Sequence, residues 1–116
     1  MTTLQNFLDK LNTQADTVRF EDCIQCIDSL YRFEPTEFKN GDLVNPAGQN
    51  SGSCKIFSFA KITGLTASQT LNCFGDYYRV DVLQHPDADD HQNIRNFMVH
   101  GWDGIRFQGL ALTALT

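Results

Sequence analysis

The sequence contains no run of lysine or arginine, and its nine basic residues are outnumbered by fourteen acidic ones, for a formal net charge of −5. Binding to nucleic acid through counterion release needs clustered positive charge, so a general nucleic-acid binder is excluded. No apolar stretch approaches the ~20 residues that span a bilayer, so no membrane association is expected. The first residues, Met1-Thr2-Thr3-Leu4-Gln5-Asn6, lack the basic and apolar regions of a cleaved export signal, and the expectation is a soluble, cytoplasmic protein. Proline is scarce, at three, while phenylalanine numbers nine, a composition that argues against disorder. Repeats, low-complexity segments and linkers are also missing. The 116 residues are expected to form a single domain, 1–116, large enough to bury roughly 65% of its unfolded surface.

Helical periodicity dominates what is present. Leu4, Phe7, Leu8 and Leu11 lie on one helical face, with Thr2 or Thr3 as cap. Phe20, Ile24, Ile27 and Tyr31 predict a second helix from Glu21 to Arg32, with acidic residues in the first turn where the dipole favours them. Asn40-Gly41 inside Thr36–Val44 signals a hairpin. Ser53–Thr63 is apolar nearly all round and predicts a central helix, ended by Gly64. Thr66 and Gln69 match a capping box that opens a fourth helix, expected to end before Pro86. Asp89–Gln92 resembles another box before a fifth helix carrying Ile94, Phe97 and Met98 and ended by Gly101. Ile105 and Phe107 alternate and predict a strand added to the hairpin, and the tail from Gln108 is weakly patterned. The expected fold class is α+β, helix-dominated with about five helices and a small antiparallel sheet.

Several phrases are too specific for composition to explain. They are Phe38-Lys39-Asn40-Gly41, the stretch Asn45-Pro46-Ala47-Gly48-Gln49-Asn50-Ser51-Gly52-Ser53-Cys54-Lys55-Ile56-Phe57, and Gln69-Thr70-Leu71-Asn72-Cys73-Phe74-Gly75-Asp76-Tyr77-Tyr78-Arg79. Asp90-His91-Gln92-Asn93-Ile94-Arg95-Asn96-Phe97-Met98 and Gly101-Trp102 follow. Over residues 4–107 the chain resembles the HopJ type III effector family. That family takes its name from a protein that a plant pathogen injects into host cells, and similar proteins occur in other bacteria. The resemblance implies a cytoplasmic protein or, for a true effector, one secreted into a host cell. It implies no particular reaction, substrate or cofactor, and Cys23 and Cys26 fall outside the family pattern.

Four cysteines, at 23, 26, 54 and 73, are expected to be free thiols in a cytosolic chain. Cys23-Ile24-Gln25-Cys26 has the spacing of a redox dithiol, but Glu21 and Asp22 beside it oppose a low thiol pKa, and small buried side chains explain it better. His85, Asp87, Asp89 and His91 form a compact set of metal-type donors that turn and cap roles explain as well, so no metal is expected.

The loop 45–55 is the leading functional candidate. Its glycines let backbone approach a ligand, and it opens a helix whose first amides are free. Asn45, Gln49, Asn50, Ser51, Ser53 and Lys55, with Asp90 and Arg95 as neighbours, are the expected ligand-binding residues for a polar or anionic small molecule or a host or bacterial protein segment. The alternative is catalytic. Gly52-Ser53-Cys54, with Gln49 before it, locally resembles the nucleophile segment of papain-like cysteine peptidases, and His91 or His100 would then serve as base. Gln49 is one residue too near the cysteine for that pattern, and two helices separate Cys54 from His100.

Overall fold

The computed structural model describes residues 2–115 and shows a helix-dominated α+β fold. The first helix, α1 (Thr3–Thr13), opens on a capping box: Gln5 N–H donates to Thr2 Oγ1, and Thr2 N–H donates to Gln5 Oε1, each at 3.1 Å. Its apolar stripe buries Phe7 and Leu11. A 3-10 turn, Ala15–Thr17, leads to α2 (Phe20–Leu30). Asp22 in its first turn accepts from Arg19 N–H at 3.0 Å and from Lys10 Nζ at 3.1 Å, tying α2 to α1.

Helix α2 does not reach Arg32 as its spacing predicts. Tyr31–Phe33 instead form strand β1, which pairs antiparallel with β5 (Leu112–Ala114) from the far end of the chain. Such a long-range pairing leaves no mark on local periodicity, and for the same reason the weakly patterned tail conceals β5. The second sheet has the order β3–β2–β4, from Phe38–Asn40 (β2), Leu43–Asn45 (β3) and Ile105–Phe107 (β4), all antiparallel. The hairpin and its added strand are therefore present. The turn, however, sits one residue later than expected. Asn40 pairs with Leu43, so Gly41 and Asp42 are the central residues, and of these only Gly41 has positive φ, at +61°. That is the pattern of a II′ turn. The shift makes Asn40 a strand residue with a fully buried side chain.

Helix α3 (Ser51–Thr63) begins two residues before the expected Ser53 and ends at Gly64 in the left-handed region. Residues 56 to 60 are all buried, as a helix apolar on every side requires. The Phe57 ring meets Phe38, Phe74, Phe97 and Trp102, while Phe59 meets Phe7 and Tyr31. One helix thus touches both sheets and the other four α-helices.

Helix α4 (Ala67–Asn72) carries the expected capping box, with Thr66 N–H donating to Gln69 Oε1 at 2.9 Å. It does not continue to Pro86. Gly75 takes φ +62°, and a Cβ there would lie 2.6 Å from the Phe20 nitrogen, so the entry to α2 passes too close for any side chain. The chain resumes as a π-helical segment, Tyr77–Val82. Arg79 staples this break, donating to the carbonyls of Ala15 at 3.0 Å and Asn72 at 3.3 Å and to that of Val18. Helix α5 (Gln92–His100) ends at Gly101 as expected, but the box at its start is absent. His91, at φ +50°, is the residue before the first turn, and Gln92 Nε2 donates to the Asp89 carbonyl instead.

Four asparagines lock α5 to the hairpin. Asn93 Oδ1 accepts from Asn40 Nδ2 and from Asn45 Nδ2, each at 3.1 Å, and Asn93 Nδ2 donates back to Asn45 Oδ1 at 2.9 Å. Asn40 Nδ2 also donates to the Asn93 carbonyl at 2.7 Å. Asn50, at the mouth of α3, joins through Nδ2 to Asn45 Oδ1 at 2.7 Å. Asn40 and Asn45 are fully buried and Asn93 nearly so, so removing one partner strands the others away from water. Asn93→Ala is expected to lower stability by about 2 kcal/mol in urea unfolding, with Asn96→Ala, which loses one half-buried bond, costing about 1 kcal/mol.

Candidate functional site

A cleft of about 420 Å³ lies where α3 and α5 begin. That is within the range of small-molecule sites. The α3 side contributes Asn50, Gly52 and Ser53, and the α5 side His91, Gln92, Asn93 and Ile94. Phe20, Phe74 and Tyr77 form the opposite wall, and Leu43 closes the sheet side.

Both helices start in the same unusual way. Asn50 and His91 are the two non-glycine residues with positive φ among those described, at +53° and +50°. Neither helix has a side-chain cap. The first three amides of an α-helix have no partner within the helix. Asn50 O accepts from Cys54 N–H, which leaves the amides of Ser51, Gly52 and Ser53 without a partner inside α3, whereas His91 O accepts from Ile94 as well as Arg95, which leaves those of Gln92 and Asn93 in α5. Two uncapped helix ends, each carrying about half a positive charge, therefore border one cavity. No lysine, arginine, aspartate or glutamate lines it. The positive potential there comes from backbone.

His91 is the titratable side chain placed best for chemistry. Its Nε2 lies 3.0 Å from Asp81 Oδ2 and 3.8 Å from Asp90 Oδ2, and its ring tilts against Tyr77 at a centroid distance of 5.2 Å. Asp81 thereby fixes the orientation of the imidazole. Asp90 is occupied by Arg95, whose Nη2 approaches its Oδ1 to 2.7 Å, and this hydrogen bond holds the exposed Asp90 carboxyl below the usual carboxylate range.

Only part of the set expected from the loop 45–55 converges here. Asn50 and Ser53 line the cleft, with Ser51 half-buried beside them. Asn45 lies buried beneath, bonded to Asn50 and Asn93. Gln49 is exposed, and its N–H closes a turn to Pro46 O at 3.0 Å. Lys55 is engaged elsewhere: its Nζ sits 2.8 Å from Asp28 Oδ1 and over the Phe33 ring. Arg95 flanks a different groove with Val82, Leu83, Pro86, Met98 and Val99. The wall residues Phe20, Phe74 and Tyr77 were not legible from the loop, because the break at Gly75 is what turns Tyr77 inward beside Phe20. His91, proposed as a base, was legible, but not its place at a helix mouth.

The residues of the catalytic alternative do not meet. Cys54 is 2% exposed, and its thiol lies 3.5 Å from the Thr36 carbonyl. Burial pushes this thiol up from its ordinary value, the opposite of what a nucleophile needs. His100 stands at the far end of α5 from His91, about 13 Å along the helix by its rise. There its ring packs on Gly41, where a Cβ would meet it at 2.4 Å. In the Cys23–Cys26 pair, the adjoining Cys73 thiol and burial raise Cys23 well above its ordinary value, and burial pushes Cys26 up to about 11. His85, Asp87, Asp89 and His91 do not gather either, since no three such side chains among the described residues are placed to hold a metal ion. Nor is any helix among those residues long and apolar enough to cross a membrane.

Comparison with known proteins gives two matches. The family profile described as HopJ type III effector protein matches residues 4–112. The crystal structure of the unknown-function protein VPA0580 is similar at 51% identity and a TM-score of 0.95, over 98% of this chain and 94% of that one. No curated protein matches the chain.

The placement of Cys54 makes a direct prediction. Iodoacetamide at pH 8 is expected to leave Cys54 unmodified in the native protein and to label it fully once urea is added, as read by mass spectrometry. Labelling of the native chain below pH 7 would restore the nucleophile reading.

Proposed function

The chain belongs to the HopJ type III effector protein family, and from that premise we propose that it is a binding protein whose cleft holds a small anionic ligand. The observation that carries this reading is the pair of uncapped helix mouths, α3 and α5, on one cavity. A carboxylate or phosphate group in the cleft accepts hydrogen bonds from first-turn amides that otherwise go to water, and it meets two aligned dipoles. Ser53 Oγ adds a hydroxyl donor on the same lining, where Gln92 Nε2 is held by the Asp89 carbonyl and His91 Nε2 by Asp81. The left-handed backbone at Asn50 and His91 costs roughly 1–3 kcal/mol per residue, and such strain collects at ligand sites.

Binding is favoured over catalysis because the cleft holds no nucleophile with an activating partner. Among the described residues Ser53, on the lining, makes no hydrogen bond to His91, and Cys54 is off the lining with its thiol against the Thr36 carbonyl. Carboxylates more than about 10 Å from the cleft are screened by salt, while Asp81 and Asp90, next to His91, are held by the His91 ring and by Arg95.

The family description supports delivery into a host cell as the setting. A translocation reporter fused after the N-terminal segment is expected to enter host cells only when the secretion apparatus is intact, and a signal unaffected by its loss counts against delivery.

The site itself is tested with inorganic phosphate and acetate. At about ten times Kd, a bound anion is expected to raise Tm by about 5 °C. Ser53→Glu puts a carboxylate into the first turn of α3. It is expected to raise the Tm of the free protein and to abolish the response to anions. Lys55→Ala, whose side chain is held by Asp28, is expected to leave that response unchanged. A wild-type protein that responds to neither anion, or a Ser53→Glu variant that responds as wild type does, overturns the reading.

A further inference from the structure

The half of the cleft facing the helix mouths is a connected wall of rings. Phe20 and Tyr77 meet edge to face, with centroids 5.1 Å apart at 69°. Tyr77 continues to His91, at 5.2 Å and 38°. Phe74 lies behind them on the same lining. Tyr77 is 41% exposed and lines both this cleft and a smaller neighbouring hollow beside Arg19, Glu21 and Asp76. This wall adjoins the polar end directly. The Phe20 ring rests on Gly52 so closely that a Cβ there would lie 2.7 Å from Phe20 Cζ. The absence of a side chain at 52 brings a ring into contact with the first turn of α3.

We propose that the ligand of this cleft is a flat aromatic acid, its ring against Tyr77 and Phe20 and its anionic group at the opening turns of α3 and α5. This rests on the anion reading above and narrows it. A purely inorganic anion would use the amides and leave the ring wall wet. A saturated acid would fill the volume without the offset or edge-to-face contact that aromatic pairs prefer, which separates the two by up to about tenfold in affinity. An aromatic amine would meet the rings but set its cation against two positive helix ends.

The test is calorimetric titration of the full chain with benzoate, 2-naphthoate, cyclohexanecarboxylate, acetate and benzylamine. The aromatic acids are expected to bind five- to tenfold more tightly than cyclohexanecarboxylate. Tyr77→Ser is expected to remove that advantage, weakening benzoate and 2-naphthoate several-fold more than acetate, which has no ring to place on the wall. Gly52→Ala, which forces the Phe20 ring away from α3, is expected to reduce binding of the aromatic acids in the same direction, and it decides the matter if the Tyr77 variant does not fold. Equal affinity for benzoate and cyclohexanecarboxylate overturns the aromatic inference while the anion reading stands. Failure of all four acids overturns both, as does binding of benzylamine with no binding of benzoate.

Discussion

The amide of Asn93 is the constraint on which the rest of this molecule depends. It sits in the first turn of α5, yet every polar atom of its side chain is spent on the hairpin, through Asn40 and Asn45. Three buried amides bond to one another, leaving Asn40 Oδ1 unpartnered, in a space where apolar side chains would pack as well but would specify nothing about angle or register. An amide network has few geometries in which its donors and acceptors all match, and a mismatch costs about 1–3 kcal/mol for each stranded group. Asn50 extends the lock to the start of α3. The relative placement of the two helix mouths is thus set by directional bonds, and the cleft between them inherits that precision.

The cleft's polarity comes from main chain at the two helix openings and from the side chains of Asn50, Ser53, His91, Gln92 and Asn93. Side-chain cations are long, mobile and strongly hydrated, and they lose rotamer entropy on fixing a ligand. Helix amides are already rigid. Near this lining Asp90 is paired with Arg95, and Asp81 is hydrogen-bonded to the His91 ring. The polar groups that border the hollow itself are helix amides, uncharged amide and hydroxyl side chains, and the His91 ring. The apolar half of the same hollow comes from the break at Gly75, which ends one helix early and turns Tyr77 toward Phe20.

What could be read from the sequence followed from local physics. The cap at Thr2 or Thr3, the box at Thr66, the glycine ends at Gly64 and Gly101, and the all-round apolar character of α3 are encoded within a few residues, and each appears where expected, with the Thr2 cap completed into a box by Gln5. The elements that escaped are those decided by distant contacts. Tyr31 has helical spacing but is taken by Leu112–Ala114. Gly75 reads as an ordinary helix residue until the backbone at Phe20 is seen to pass against it. The same division holds at the site. The loop 45–55 announced a helix mouth through its glycines, serines and asparagines, and Asn50 and Ser53 are on the lining. Lys55 was misplaced because its charge suggested a ligand, whereas Asp28 on α2 already claims it. No local signal marks His91 as the opening of a second mouth, since a histidine in the left-handed region is uncommon and nothing beside it demands one.

Asn50 and His91 also set backbone ease against side-chain ties. Glycine would relax the backbone at either position but would free the unfolded chain as well. Glycine at 91 deletes a ring from the wall together with its bond to Asp81, and at 50 it cuts the tie to Asn45. Neither exchange hardens the scaffold without loss, so the two positions should be frozen in any engineering campaign.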